Sequence, residues 1–347
     1  MLVLPGVFTR NPQLLDRLGT LALPALQRLL AKGRAESQSW EGIDTWLMEK
    51  FNVARQQDWP SAPFSLLGHG TPPDNAFWAH ADPVTLRADR DSLLLADASL
   101  LDINAEEAQA IGATVNKHFA EELQLHIAAP DRWYARFDNP PPGETTPLAK
   151  VTGRALEPGR GAMRWFSLMN EIQMLLHDHP VNEAREARGA APINGVWLWG
   201  AGRLAPVHAA FKSVTTSSAL ARGLARHAGI SNTDLPANAN LWMEQSAVAG
   251  IHICFHEALA TATKRGDAEA WLNALQNLEQ FWFSPLLDAL QSGRIGMLTL
   301  LLGAERTRVS IELVKNDLRR FWRRPKPLDR TLGSVSEEHD SPNQSTP

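Results

Sequence analysis

His179-Pro180-Val181-Asn182-Glu183-Ala184-Arg185-Glu186-Ala187-Arg188-Gly189 leads through Pro192-Ile193-Asn194 to the apolar run Val196-Trp197-Leu198-Trp199, which ends on Gly200-Ala201-Gly202. A polar residue followed by proline, with a glycine at the far end, reads as a short capped helix that stops at Gly189. The apolar run reads as a buried strand. His179, Asn182, Arg185 and Arg188 recur at helix-turn spacing, so several of them can share a face. A guanidinium fork beside an amide suits a phosphate or a carboxylate. Together with Asn194 and Arg203, these residues form the candidate anion-binding set. The alternative is a structural turn in which the two arginines pair with Glu183 and Glu186.

Working outward, Leu2 to Leu4 reads as a short buried strand. Pro24 opens a helix whose Leu26, Leu29 and Leu30 share a face before Gly33 stops it. A second helix is expected from Trp40 to Phe51, and the stretch from Asp58 to Pro63 reads as a proline-punctuated connection. Trp78–Leu86 and Ser92–Ala96 read as strands joined across Asp89-Arg90-Asp91. A helix from Ala105 to Phe119, strands Leu123–Ile127 and Trp133–Phe137, a proline- and glycine-rich loop from Asn139 to Gly161 and a helix from Met163 to His177 follow. Beyond the opening stretch come a helix within Thr215–His227, a short apolar run Ile251–Phe255, and a long helix Trp271–Leu290 interrupted at Pro285. A hairpin of Met297–Leu302 with Val309–Leu313 comes next. Residues 331–347 lack periodicity and read as disordered. Strands alternating with helices imply an α/β protein with a mostly parallel sheet covered on both faces.

The bulk properties bound the function. Among 347 residues, 44% are hydrophobic and the formal net charge is −4, so a nucleic-acid partner is not expected. A single cysteine, Cys254, excludes an internal disulfide and fits a reducing, cytoplasmic compartment. The apolar opening is too short for a signal peptide, and no apolar stretch reaches the roughly 20 residues a membrane span needs. No membrane partner is expected. Twelve tryptophans stand against one tyrosine, a bias for which the sequence offers no reason.

Other candidate groups are weaker. Gly200-Ala201-Gly202-Arg203-Leu204-Ala205 follows a strand, but Pro206 comes next and no acidic residue lies where a ribose would need it. His252, His256 and Glu257 could line a helix face as metal ligands, although Ala260 stands where a zincin's second histidine belongs. His177 with His179 and His80 with Asp82 are further close pairs. Asp82, Asp89 and Asp91 could do acid–base work, while Cys254 lies in an apolar run and reads as inert. Arg319, Arg320, Arg323, Arg324 and Lys326 surround Phe321-Trp322, a grip for an acidic partner or an answer to a helix dipole.

The stretch from about Glu106 to about Gly229, centred on the His179 segment and Gly200-Ala201-Gly202, resembles the archaeal-type cofactor-independent phosphoglycerate mutases of the alkaline phosphatase superfamily. Leu23-Pro24-Ala25-Leu26-Gln27-Arg28-Leu29 with Gly33 resembles that superfamily's first helix. With Trp78–Leu86 and Phe321-Trp322-Arg323-Arg324, the whole chain resembles bacterial regulatory proteins of the RpfE type. The resemblance implies an alkaline-phosphatase-like core of residues 1–104 and 195–330, with a smaller α/β domain inserted over 105–194. It also implies a two-metal site, and this chain departs from it. Pro5-Gly6 stands where the mutases carry aspartate and glycine, and His252 to Lys264 keeps no aspartate–histidine spacing. Leu300 to Ala304 replaces a late aspartate–histidine pair. The expectation is a non-catalytic regulatory or anion-binding protein without metal or cofactor. Its partners would be a small phosphorylated or carboxylate ligand and a protein of unspecified kind. The alternative is an active mutase or phosphohydrolase with a rearranged site using His80, Asp82, His252 or His256.

Overall fold

The computed structural model describes residues 1–9, 11–89, 92–97, 101–120, 122–139, 143–151, 163–304, 307–328 and 331. Arg90 and Asp91 of the expected turn, much of the expected loop between Asn139 and Gly161 and nearly all of the expected disordered tail lie outside them. Among the described residues the strands are β1 (Leu2–Pro5), β2 (Arg34–Ser39), β3 (Phe77–Asp89), β4 (Ser92–Asp97), β5 (Gln124–Ala129), β6 (Arg132–Phe137), β7 (Gly195–Gly202), β8 (Ser213–Thr215), β9 (Ser231–Thr233), β10 (His252–Phe255), β11 (Met297–Gly303) and β12 (Thr307–Val314). The chain divides into two compact units, Met1–Leu47 with Ala209–Ser218 and Ile230–Pro347, and Met48–His208 with Ala219–Gly229.

The first unit is built on a seven-stranded sheet in the order β2-β12-β11-β1-β10-β8-β9. Strands β9, β8, β10, β1 and β11 run parallel, and β12 lies antiparallel between β11 and β2. Leu2, Val3 and Leu4 on β1 and Leu300, Leu301 and Leu302 on β11 are all buried. A strand covered on both faces needs such an uninterrupted apolar run. Helices Pro24–Lys32, Ala268–Leu278 and Ser284–Ser292 supply the covering layer, with Leu26, Leu29, Leu275, Leu286 and Leu290 in one core with Leu2 and Leu300. A π-helical turn, Glu279–Phe283, joins the last two helices, and Pro285 sits in the first turn of the second. The Glu279 carboxylate accepts from the N–H groups of Ala25 and Leu26 at 2.6 and 3.0 Å, capping the free amino end of the Pro24 helix.

Two differences from the sequence reading have simple causes. Strand β2 pairs with β12 through its backbone while all six of its side chains are exposed, so it carries no apolar alternation to reveal it. The helix expected from Trp40 begins at Ile43, because the Trp40 indole is used elsewhere.

The second unit holds an antiparallel sheet, β4-β3-β6-β5, with β7 also paired to β3. Helix Ala105–His118 starts with a capping box between Asn104 and Glu107. With helix Met163–His177 it buries Ile111, Val115, Ile172 and Leu176 against Trp133 and Val196. This unit is wider than the insertion expected over 105–194, because β3 and β7 hydrogen-bond into its sheet. It also contains helix Ser61–Gly68, which lies against helix Ala219–His227. The approach is close. A Cβ on Gly223 would lie 1.7 Å from the Phe64 carbonyl oxygen, and one on Gly68 would lie 1.8 Å from that of Ala219.

Candidate functional site

The open end of a parallel sheet, beyond the carboxyl ends of its strands, is where α/β folds hold ligands. In the first unit that edge is largely closed by indoles. Strand β1 leads into Gly6, at φ +78°, where a Cβ would meet the Ala260 backbone at 2.7 Å. The Gly6 carbonyl accepts from Trp271 Nε1 at 2.8 Å. At the end of β11, Trp40 Nε1 donates to the Ala304 carbonyl at 2.7 Å, and its ring fills the space a side chain on Gly303 would need. Phe255 closes β10 against Trp46, edge to face at 6.0 Å. His256 follows, set edge-on to Trp282 at 5.3 Å, and burial lowers its pKa.

Polar groups remain at this edge, among them the His256 Nδ1, buried without a hydrogen-bond partner. Ser217 Oγ donates to Glu257 at 2.9 Å. Desolvation pushes the Asp44 carboxyl up to about 6, with Lys264 pulling against the rise and Glu257 adding to it. His252 and His256 do not share a helix face. His252 opens β10, with Nδ1 against Ser213 Oγ and Nε2 against the Val248 carbonyl, both at 2.7 Å. The apolar sequence around them favours a strand, and that strand removes the spacing argument for a metal pair. Cys254 is buried on the same strand, its thiol pKa raised by burial. Two divalent ions require several converging carboxylates and imidazoles. Among the described residues no three His, Cys, Asp or Glu side chains form such a group. The residues present at this edge do not fit a two-metal site.

In the second unit, helix Pro180–Ala187 carries most of the candidate anion-binding set, with its side chains turned to different tasks. His179 caps the helix, accepting from Val181 N through Nδ1, and its Nε2 lies 2.9 Å from Thr114 Oγ1. Asn182 is buried and bridges three backbone groups, donating to the Leu176 and Ile193 carbonyls and accepting from Ile193 N at 2.7 Å. Asn194 pairs with both backbone groups of Leu86. Arg185 has no solvent exposure. Its Nε donates to the Ala191 carbonyl at 2.7 Å, Nη1 to Glu107 at 2.7 Å and Nη2 to the Leu101 carbonyl. Arg188 takes the other Glu107 oxygen but keeps half its side chain in solvent. Burial works against the Glu107 charge, yet the Asn104 N–H and the two arginines outweigh it and hold the carboxyl below its usual range. The arginines thus find a carboxylate on another helix, where local pairing had pointed to Glu183 and Glu186. Arg203 lies with its guanidinium carbon 4.0 Å from the centre of the Phe77 ring.

A second polar group in this unit was not legible from spacing. Helix Ser61–Gly68 begins at Ser61, whose Oγ is buried without a hydrogen-bond partner, as is Nε2 of His80. Both lie against Gly200, held at φ +63°. Beside them Asp58 accepts from the N–H and hydroxyl of Thr145, whose Oγ1 in turn accepts from Gly200 N. Burial raises the Asp58 pKa, with Thr145 and Ala201 opposing. His80 stacks on Trp199 at 4.0 Å, and Trp199 Nε1 donates to Asp82 at 2.6 Å. Burial, helped by the charges of Arg132 and His69, drives the His80 pKa down to about 3. A general base works best with a pKa near the operating pH, so this imidazole is a poor proton acceptor. Pro60 before Ser61 was the available signal for a helix start.

No protein-family profile matches the chain. Among curated proteins, it is 31% identical over 159 residues to the "probable 2,3-bisphosphoglycerate-independent phosphoglycerate mutase" of Geobacter sulfurreducens, a match covering 42% of this chain and 40% of that protein. It is 31% identical over 144 residues to 2,3-bisphosphoglycerate-independent phosphoglycerate mutase 2 of Methanothermobacter thermautotrophicus, covering 35% of each. The 2,3-bisphosphoglycerate-independent phosphoglycerate mutase of Methanosarcina barkeri is 25% identical over 246 residues, 64% of this chain and 62% of that one. The chain therefore spans less than two thirds of the length of these relatives. Among solved structures, the PH0037 protein from Pyrococcus horikoshii aligns over 96% of this chain and 92% of its own with a TM-score of 0.56 at 14% identity, a likeness of fold. The chain is similar in sequence to cofactor-independent phosphoglycerate mutases, and its α/β architecture is of their alkaline-phosphatase-like kind.

Proposed function

We propose that this chain is a phosphoglycerate-mutase-like protein that does not carry out two-metal phosphoryl transfer and acts instead by binding, in a regulatory role of the RpfE type. The observation that carries the reading is the pair of indole caps at the carboxyl edge of the parallel sheet, Trp271 on the Gly6 carbonyl and Trp40 on that of Ala304. By the resemblance, those strand ends are where the mutases would carry metal-binding side chains, and this reading is supported by the ring and backbone that stand at Gly6 and Ala304 here. The ligand proposed is a small phosphorylated or carboxylate acid. Of the anion-binding set, Arg188 and Arg203 are exposed residues that can turn toward it, Arg188 from its pairing with Glu107 and Arg203 from the Phe77 ring, while Asn182 and Arg185 serve the packing of the unit.

The test combines three measurements on the unchelated full chain: elemental metal content, mutase activity on 3-phosphoglycerate with added manganese, and calorimetric titration with the same acid. The expected results are no stoichiometric metal, no turnover, and a binding heat that Arg188→Ala abolishes. One or two metals per chain accompanied by turnover would overturn the proposal and favour the rearranged-site enzyme.

A further inference from the structure

The opposite, amino edge of the first unit's sheet carries a surface that the binding reading does not use. Residues Arg320 to Arg323 form a turn closed by Arg323 N–H on the Arg320 carbonyl at 3.1 Å, with Phe321 and Trp322 at its centre. The turn is fastened to the fold. Nearly buried Lys32 donates to the carbonyls of Arg320 and Arg323, and Arg323 Nη1 donates to the Gly33 carbonyl at 2.6 Å. Even so, Phe321 is 84% and Trp322 66% exposed, their rings edge to face at 5.1 Å. The Met297–Val314 pair, which closes the β11–β12 ladder at the same edge, is also exposed. Water-facing aromatics held on a hydrogen-bonded turn and packed edge to face on each other leave most of their apolar surface in water, which marks a contact surface.

The charge around them is one-sided. Lys315, Arg319, Arg324 and Lys326 are exposed, and none has an ion-pair partner among the described residues. The nearby carboxylate Asp317 is already engaged by Arg320 at 2.6 Å, and Glu312 faces Arg34 across the β12–β2 ladder. The overall charge of −4 hides this segregation.

We propose that this edge is a peripheral docking surface for an anionic lipid bilayer. Phe321 and Trp322 would enter the headgroup boundary, the depth at which amphipathic aromatic rings settle. The flanking cations would meet lipid phosphates while their aliphatic stems lie along the interface. A protein partner would call for a broader apolar floor around the aromatics, whereas here two rings and two smaller side chains stand in a field of cations.

The test is co-sedimentation of the full chain with phosphatidylcholine vesicles that contain phosphatidylglycerol, beside vesicles of phosphatidylcholine alone. Binding to the anionic vesicles, weak binding to the neutral ones and release by high salt are expected. Phe321→Ala with Trp322→Ala should weaken partitioning about tenfold or more, and each of Arg319→Gln, Arg324→Gln and Lys326→Gln about fivefold. These side chains are exposed, so the variants should keep the wild-type near-ultraviolet dichroism apart from the lost indole. Absence of binding to anionic vesicles would overturn the proposal, as would undiminished binding by the double aromatic variant. Tighter retention of a single-stranded oligonucleotide than of the anionic vesicles would also overturn it and reassign the edge to nucleic acid.

Discussion

Replacing Arg185 with alanine separates a packing role from a ligand-binding role. The guanidinium is fully buried and satisfies two carbonyls, those of Leu101 and Ala191, together with one oxygen of the Glu107 carboxylate. Truncation leaves the two carbonyls unpaired and strips a buried carboxylate of its buried cationic partner, with Arg188 still holding the other oxygen. Breaking a buried ion pair from one side costs about 3–5 kcal/mol, and each orphaned carbonyl adds to that when no water reaches it. Because Arg188 remains, the lower half of that range is expected, about 3–4 kcal/mol. The assay is urea unfolding of the full chain, with Arg185→Ala, Glu107→Ala and the double variant forming a cycle. A coupling energy of about 2 kcal/mol or more between the two sites should emerge. A loss below about 1 kcal/mol for Arg185→Ala, or a gain in stability, would refute the reasoning. A gain would mean that the site is strained for a ligand. This has a practical consequence, since a failed binding assay with Arg185→Ala would report a damaged fold. Arg188→Ala, half exposed and expected to cost about 1 kcal/mol or less, is the cleaner control.

Further expectations address the other sites. Asp44→Asn should stabilise the chain, and the gain should grow as pH rises from about 4 to about 6 and then level off. The folded carboxyl is held up to about 6, so its contribution is intact below the unfolded pKa and is lost as pH rises through the folded one. Thermal melts across that range should show a difference of roughly 1–3 kcal/mol at neutral pH, and a difference independent of pH would contradict it. Glu107 has the opposite sign. Its depressed pKa gives stability that is present above the ordinary glutamate range and fades as pH falls below about 4, a fade that Glu107→Gln should remove. Ser61→Ala deletes a buried hydroxyl that has no protein partner and should be neutral or stabilising by up to about 1 kcal/mol in urea unfolding. A clear loss there would reveal an ordered water or ligand bridging Ser61 and His80. Trp40→Phe removes the donor to the Ala304 carbonyl and should cost about 1–3 kcal/mol, while an unchanged midpoint would show that the cap contributes nothing.

What the sequence made legible followed the physics of burial. The apolar runs of β1 and β11 and the periodic helices Ala105–His118 and Met163–His177 were readable because each must hide one face or both. The hairpin of β11 with β12 was readable for the same reason. Strand β2 was not, because Arg34–Ser39 is an edge whose stability comes from backbone pairing with β12. The short strands β8 and β9 each contribute three residues and carry too little pattern to register. In the His179 segment the spacing correctly placed a capped helix, but spacing cannot name a partner on another helix. Glu107 lies 78 positions from Arg185. Local reasoning therefore supplied Glu183 and Glu186 and overestimated how many donors were free.

The tryptophan excess, which composition left unexplained, has a physical account in the contacts these residues make. An indole covers a large apolar surface and donates one hydrogen bond without accepting any, so it can close a gap and satisfy a stray carbonyl together. Trp271 does this at Gly6 and Trp40 at Ala304. Trp133 does so at Pro130, Trp165 at Gly143 and Trp197 at Thr146. Tyrosine could fill similar space, but its hydroxyl also accepts and would need a second partner when buried. At the carboxyl edge the choice has a further effect. Carboxylates at strand ends would require counter-charge, from metal or from solvent, before the sheet could close around them. Indoles on bare carbonyls require none, so the fold can retain the mutase-like architecture without a metal to complete it. That link between residue choice and proposed loss of chemistry can be tested at one position. Gly6→Asp should destabilise the chain by several kcal/mol, because its Cβ must displace the Ala260 backbone at 2.7 Å and its residue must hold a left-handed φ of +78°. A Gly6→Asp variant that is as stable as the parent and gains stability on addition of manganese would show that the edge is still open to metal.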